Sequence, residues 1–285
     1  MKIIRSLVDL RRVIRRVKKS GKTIGFVPTM GALHEGHLSL IRKARKETDF
    51  VVFSIFVNPI QFNRPADLKS YPRTLAQDAR SAFRAGADIL FTPATQAIYP
   101  PDFQTFVEVE RLSRLWEGKF RPGHFRGVTT VVAKLFNLVQ PDAAYFGQKD
   151  AQQARIIRQM IADLNFDIRL RVLPTVREPN GLAMSSRNKL LSSRARRSSR
   201  ILFEALQQVR RLIECGERRR AVVERRMRQV ILHRAPEARI DYAAIVDADT
   251  FEQVKRIRGT VQILVAVWIG DVRLMDEMIL CTEQS

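Results

Sequence analysis

The strongest constraint on the fold is an alternation: from Thr23 onward, short apolar strands take turns with helical patterns. Phe50 to Val57 (FVVFSIFV) is a near-continuous apolar run, which marks a strand covered on both faces. Before it, Thr23 to Pro28 reads as a strand, then a Gly-bearing turn, then a helix from Gly36 to Glu47. After it, Leu75 to Ala85 is helical and Asp88 to Phe91 is a strand ended by Pro93. Helices over Val128–Val139 and Asp150–Leu164 then alternate with strands over Ala143–Phe146 and Ile168–Leu173. The pattern predicts an α/β fold, a Rossmann-like parallel sheet with helices on both faces. Sheets of this kind bind ligands at the carboxyl ends of their strands.

Past Pro179–Asn180–Gly181 the pattern changes. Helices over Ser193–Cys215 and Arg219–His233 precede strands over Arg239–Val246, Thr260–Trp268 and Leu274–Cys281. This predicts a smaller α+β C-terminal domain with an antiparallel sheet, giving domains over 1–178 and 179–285. A chain of 285 residues, 45% apolar and 28% charged, supplies enough buried surface for both cores. Cys215 and Cys281 cannot make a disulfide framework, so a reducing cytoplasm is expected. No apolar run approaches the roughly 20 residues of a membrane-spanning helix, so no membrane partner is expected.

Net charge is the unusual property: +21, with a pI near 11.0. Its excess is densest in two stretches. Met1–Lys22 sets nine basic residues against Asp9 alone, and Arg194–Arg239 sets fourteen against five acidic ones. Both read as amphipathic helices, the first with Ile3, Leu7, Leu10, Ile14 and Val17 on its apolar face. Polyanion binding is one reading, and a solvated helix face is the plainer one. The first stretch is also Arg-rich and acid-poor like a transit peptide, but it runs straight into a strand and reads as the first structural helix. Arg194–Arg239 holds Phe203 as its sole aromatic, against the interleaved aromatics of RNA-binding modules, so no nucleic-acid partner is expected.

Four segments carry chemistry. In Pro28–Thr29–Met30–Gly31–Ala32–Leu33–His34–Glu35–Gly36–His37, two histidines straddle a glycine at a strand-to-helix turn. The helix start aims N–H groups at an anion there, and the imidazoles can donate to phosphate oxygens. The same pair would also sit satisfied in a polar turn; as a metal site it lacks a third nearby His or Cys. Asn58 and Gln61, in Val57–Asn58–Pro59–Ile60–Gln61–Phe62, emerge where the buried strand ends and can bind a carboxylate or hydroxyls. In Tyr145–Phe146–Gly147–Gln148–Lys149–Asp150–Ala151–Gln152–Gln153, Lys149 can hold phosphate, Asp150 can cap a helix, and Gln153 follows one turn on. Met184–Ser185–Ser186–Arg187–Asn188 offers two hydroxyls and an Arg on a Gly/Asn-bearing loop, suited to clamp phosphate.

Together PTMGALHEGH, FVNPIQF, YPRT, GHFRGVTTVVAKLFNLVQPDAAYFGQKDAQQ and MSSRN resemble the pantoate–β-alanine ligase (pantothenate synthetase) family. HEGH is similar to the HIGH motif of HIGH-type nucleotidyltransferases, and MSSR to their KMSKS loop. The likeness is dense over residues 23–193 and continues in Asp241–Asp247. The chain departs from it at Lys189–Leu190, where Gly-Tyr is common, and at Trp268–Ile269–Gly270, where Arg-Leu-Gly is typical.

The resemblance implies ATP-dependent condensation of (R)-pantoate with β-alanine to pantothenate, AMP and pyrophosphate, through a pantoyl-adenylate. It places ATP against Met30, Gly31, Ala32, Leu33, His34, Glu35, Gly36 and His37, and against Gly147, Gln148, Lys149 and Asp150. Val176, Met184, Ser185, Ser186 and Arg187 complete that set. It assigns Gln61 and Gln153 to pantoate, Gln61 to β-alanine as well, and catalysis to His34, His37, Lys149 and Arg187. His37 is the family's usual proton donor. Mg²⁺ is expected with the ATP phosphates, with Asp78 as a candidate ligand. A homodimer is implied in the same way.

Overall fold

The computed structural model describes residues 1–282 and divides into two compact units, Met1–Pro174 and the chain from Thr175 onward. The first unit is built on a six-stranded sheet in which each pair is parallel. Its elements are β1 (Lys2–Ile4), α1 (Leu7–Lys19), β2 (Ile24–Thr29), α2 (Glu35–Glu47), β3 (Phe50–Ile55), α3 (Leu75–Ala85) and β4 (Ile89–Phe91). α4 (His124–Val139), β5 (Ala143–Gly147), α5 (Ala151–Asp163) and β6 (Arg169–Leu173) follow. The strand order is β1-β4-β3-β2-β5-β6. From β2 the chain winds outward through β3 and β4, then crosses back to place β5 and β6 on the other side of β2. The reversal falls between β2 and β5, where ligands of doubly wound sheets bind.

Alternation along the strands builds two cores. Phe26, Val52, Phe91, Ala144 and Phe146 face one way, against Leu10, Ile14 and Val17 of α1 and Val128, Val132 and Phe136 of α4. Val27, Val51, Phe53, Leu90 and Tyr145 face the other way, against Leu40, Ile41 and Ala44 of α2 and Ala79 and Ala82 of α3. Both faces are covered, as the continuous apolar run of β3 predicts. The N-terminal stretch differs from expectation at its start. Lys2–Ile4 is an edge strand paired with β4, leaving Ile3 43% exposed, and the helix begins only at Leu7 behind the cap Ser6.

α4 begins at His124, four residues before the expected Val128. Its first turn lies so close to Ile60 and Gln61 that a Cβ on Gly127 would stand 2.7 Å from the Ile60 carbonyl oxygen. Between β4 and α4 the chain forms only one-turn helices at 95–98, 110–113 and 116–120. Single turns are too short to leave a periodic pattern, so this segment was not legible as structure.

The second unit packs helices on an antiparallel sheet. α6 (Ser193–Ser199), α7 (Ile201–Glu214) and α8 (Arg220–Arg234) precede β7 (Arg239–Asp247), β8 (Thr260–Ile269) and β9 (Val272–Cys281), ordered β7-β8-β9. Leu202, Leu206, Val209 and Ile213 of α7 share a core with Val223, Met227 and Ile231 of α8 and with Ile245, Ile263, Val265 and Val267 of the sheet. The helix expected over Ser193–Cys215 is two helices. Ser199, fully buried, donates its hydroxyl to the Arg196 carbonyl at 2.8 Å where they part. Such a side chain competes with the backbone ladder. No helix among the described residues is long and apolar enough to cross a membrane.

Candidate active site

The carboxyl ends of β2, β3 and β5 carry the three chemistry-bearing segments of the first unit. After β2 the chain turns through Gly31 (φ +89°) and Ala32 (φ +52°), two successive left-handed residues. For alanine that conformation costs about 1–2 kcal/mol, so something must hold it. Asp78 of α3 does so. Its carboxylate accepts the amide of Ala32 at 2.9 Å through Oδ2, the amide of Leu33 at 2.9 Å through Oδ1, and the Thr74 hydroxyl at 3.0 Å. The residue is 2% exposed, and a Cβ on Gly31 would stand 3.2 Å from Oδ2. The metal candidate of the sequence is therefore engaged in anchoring the turn, which fits an anchor rather than a Mg²⁺ ligand. No group of three or more His, Cys, Asp and Glu able to hold a metal occurs among the described residues.

The same contacts decide which amides of the turn can meet a ligand. Those of Ala32 and Leu33 point at Asp78, and that of His34 points at His37 Nδ1, 3.4 Å away. The amides of Glu35 and Gly36, in the first turn of α2, have no intrahelical acceptor by position and are the donors this helix start offers an anion.

His34 and His37 stack, with ring centroids 4.0 Å apart. Burial pushes the His37 pKa down to about 4, with Asp150 opposing and Lys149 reinforcing the shift. His37 is thus neutral at pH 7, and because its Nδ1 accepts the His34 amide, the proton sits on Nε2. It is a hydrogen-bond donor without charge. Lys149 follows β5, its side chain 18% exposed and its ammonium 3.4 Å from Asp150 Oδ1. The two charges that bear on His37 are thus those of the junction after β5, which places the histidine turn and the lysine junction together at the β2/β5 reversal.

Past β3, Pro59–Gln61 forms a single tight turn. Asn58 and Gln61 are 1% and 7% exposed, and Asn58 Nδ2 donates to Gln61 Oε1 at 2.9 Å and to the Gly127 carbonyl at 3.0 Å. Gln61 Nε2 reaches the Met30 sulfur at 3.0 Å, joining this turn to the one after β2. Two residues that the sequence reading did not single out complete the support. Tyr99 donates its hydroxyl to Asn58 Oδ1 at 2.9 Å. His124 Nδ1 lies 2.9 Å from the Gln61 carbonyl, and its Nε2 lies 3.1 Å from an Arg121 nitrogen. A carbonyl can only accept and a guanidinium can only donate, so Nδ1 carries the proton and the ring is neutral. Burial first, then the Arg121 charge, drives its pKa down to about 3. Tyr99 lies outside the motifs and His124 inside GHFRG without an assigned role; they act through bonds to residues 41 and 63 positions away.

The adjacent glutamines of α5 have opposite environments. Gln152 is buried, donating to the Leu112 and Leu115 carbonyls at 2.8 and 2.9 Å and accepting the Glu117 amide at 3.0 Å. Gln153 is half-buried, in the first helical turn beyond Lys149.

In the second unit the Met184–Asn188 loop is tied by several hydrogen bonds. Met184 donates its amide to the Val176 carbonyl at 2.9 Å, and Arg177 bridges to Ala183. Arg177 forms a two-pronged pair with buried Asp276 at 2.6 and 2.9 Å and stacks 4.3 Å over Phe203. Asn188, 4% exposed, donates to Glu178 at 2.9 Å and to the Ala183 carbonyl at 3.1 Å. Ser185 accepts the Arg187 amide at 3.3 Å, opening a short turn over Ser186–Leu190. Of the departures from the family pattern, Leu190 is 60% exposed, and Trp268 donates to Asp241 at 3.1 Å under the Arg239 guanidinium.

A strand-order reversal with a neutral donor histidine, a lysine, a helix start and an oriented carboxamide fits an α/β enzyme for small anionic and phosphorylated ligands. Comparison with known proteins narrows the class. The sequence profile of the pantoate-beta-alanine ligase family matches residues 2–279. The pantothenate synthetase of Moorella thermoacetica is 51% identical over 280 residues, covering 98% of this chain and 99% of its own. That of Heliobacterium modesticaldum is 51% identical over 282 residues, with 98% and 99% covered. The crystal structure of pantothenate synthetase from Thermus thermophilus superposes with a TM-score of 0.92 at 43% identity, covering 98% of this chain and 99% of that one. A pantoate-beta-alanine ligase from Francisella tularensis, solved with beta-gamma ATP and beta-alanine, gives 0.81 at 35% identity, with 98% and 97% covered. The chain belongs to the pantoate-beta-alanine ligase family, and it is a ligase.

Proposed function

We propose that the chain condenses (R)-pantoate with β-alanine at the expense of ATP, through a pantoyl-adenylate. In the first step a pantoate carboxylate oxygen attacks the α-phosphorus of ATP, and the bond to the β-phosphate oxygen breaks to release pyrophosphate. In the second, the neutral amine of β-alanine attacks the acyl carbon, loses a proton, and AMP departs as the amide forms. A carboxylate needs no general base, so the first step rests on positioning and on donors aimed at phosphate oxygens. His37 Nε2–H, the Lys149 ammonium and the Glu35 and Gly36 amides are such donors. A neutral imidazole with its proton on Nε2 gives a hydrogen bond rather than a proton, so we assign His37 to phosphate stabilisation, with His34 stacked against it. Gln61 and Gln153 are assigned to pantoate, and Gln61 also to β-alanine. Ser185, Ser186 and Arg187 are assigned to phosphate on the family resemblance alone.

The observation that carries this reading is the meeting of His37 with Lys149 and Asp150 at the strand-order reversal of a chain of this family. Mg²⁺ is expected to arrive on the ATP phosphates, since Asp78 is already engaged. A homodimer and a cytoplasmic location complete the proposal. Pantoate-dependent exchange of labelled pyrophosphate into ATP, with β-alanine omitted, tests it. Exchange that needs pantoate is expected, and none with pantoate would overturn it.

A further inference from the structure

A carboxamide turned end for end keeps its shape but swaps donor for acceptor, so something must decide which end of Gln61 meets a ligand. The decision starts at a backbone carbonyl. Gly127 O can only accept, and it stands 3.0 Å from Asn58, so the NH₂ end of Asn58 lies on that side. The other N–H of that NH₂ group meets Gln61 Oε1 at 2.9 Å. Gln61 therefore turns its carbonyl inward and its NH₂ outward, where the Met30 sulfur, a weak acceptor, is easily replaced by a ligand oxygen. The far end of Asn58 is held by the Tyr99 hydroxyl at 2.9 Å. Asn58 is 1% exposed, so no solvent stands ready to take that hydroxyl's place.

We propose that Tyr99 is a positioning residue for pantoate: its hydroxyl clamps Asn58, and Asn58 holds Gln61 with its N–H donors toward the ligand. The site thereby selects an acceptor oxygen at this point, a carboxylate or hydroxyl of the substrate. This rests on the assignment of Gln61 to pantoate. The Tyr99 ring has its own supports, Phe56 and Phe103 at centroid distances of 6.1 and 4.9 Å and the Lys134 ammonium 5.8 Å from its centre. Removing the hydroxyl alone therefore leaves the ring in place and Asn58 Oδ1 buried without a donor. Asn58 cannot relieve that by turning, since its NH₂ is needed at Gly127 and Gln61; it is left loosely held, and the inward anchor of Gln61 loosens with it.

The test is a double-mutant cycle on Tyr99→Phe and Gln61→Ala, read as kcat/KM for pantoate in pyrophosphate exchange at saturating ATP. Tyr99→Phe is expected to lower it about tenfold, with KM for ATP within about twofold of wild type. In the Gln61→Ala background the same substitution is expected to change it less than about twofold, because the effect travels through Gln61. An unchanged kcat/KM in Tyr99→Phe, or an equal loss in both backgrounds, overturns the proposal. If Tyr99→Phe disturbs ATP binding as well, the cycle is repeated with Asn58→Ala, in which Tyr99→Phe should be silent; a full loss there also overturns it. A Gln61→Ala enzyme with wild-type pantoate kcat/KM would instead strike at the assignment of Gln61 itself.

Discussion

Replacing Asp78 by asparagine removes one charge and one acceptor from a carboxylate that accepts three hydrogen bonds. Whichever way the new amide turns, one buried donor of the turn faces an NH₂ group. The mildest arrangement sacrifices the Leu33 amide and keeps Ala32 and Thr74 on the remaining oxygen. The orphaned amide costs about 1–3 kcal/mol, and the two surviving bonds each weaken by about 1 kcal/mol when the charge is lost. The sum is about 4 kcal/mol, and relaxation of the left-handed Gly31–Ala32 pair returns about 1 of it. A net loss of about 3 kcal/mol corresponds to a fall of about 10 °C in the unfolding midpoint for a unit of this size. Because the turn also aims His34, His37 and the first turn of α2, exchange activity is expected to drop about 100-fold. Scanning calorimetry and pyrophosphate exchange at two Mg²⁺ concentrations decide the matter. If Asp78 were a metal ligand, the Asp78→Asn protein would keep its midpoint and recover activity as Mg²⁺ rises, and that result would refute the anchoring argument.

His34→Ala and His37→Ala are each expected to abolish adenylate formation while circular dichroism stays native; wild-type exchange in both would take the turn out of the mechanism. Lys149→Met should lower kcat/KM for ATP by about 100-fold, since a charge on a side chain 18% exposed is poorly replaced by solvent cations, with pantoate KM little changed. The depressed pKa of His124, about 3 against an ordinary 6.5, means the unfolded chain binds a proton before the folded one does. Its share of stability is complete above pH 6.5 and falls as the pH drops, by about 1.4 kcal/mol per unit, or about 2 kcal/mol between pH 6.5 and 5. His37, depressed to about 4, acts with the same sign. Urea unfolding at those two pH values should show a clearly shallower dependence in His124→Gln than in wild type; parallel curves would count against a buried neutral His124.

Most of the sheet was legible because its signals are local and repeated. β3 reads as a strand from its apolar run, and the α3 bounds Leu75–Ala85 coincide with those expected from periodicity. The edge strand Lys2–Ile4 was not legible, since three residues joined to an amphipathic helix continue its apolar pattern. At the site, the motif residues could be named from the sequence, but what holds them could not. Asp78 reads as a candidate metal ligand because the amides it holds lie 45 and 46 positions away; Tyr99 lies outside every motif, and His124, though inside the GHFRG segment, has nothing local to show its bond to Gln61. Contacts set by tertiary structure carry no spacing rule. The segment carrying Tyr99 also held only one-turn helices, so nothing indicated that it approached Asn58.

The net charge of +21 resolves in the same physical terms. α1 buries Leu10, Ile14 and Val17 against the sheet and leaves its arginines in solvent, so its basic face is the necessary outer side of a structural helix. Along the second basic stretch, Arg200–Glu204, Arg210–Glu214 and Arg220–Glu224 are pairs one helical turn apart, and Arg196 reaches Glu178. The exposed ones, Arg200–Glu204 and Arg210–Glu214, contribute less than about 1 kcal/mol each and are screened at physiological salt, so they do not specify the fold. Lys149 differs from them in burial and setting. It lies at a strand end beside a helix start and a neutral histidine, in partly covered surroundings, where under the proposed function a phosphate would meet several donors at once. What separates this one cation from the many is its dielectric surroundings and its neighbours, and total charge carries neither.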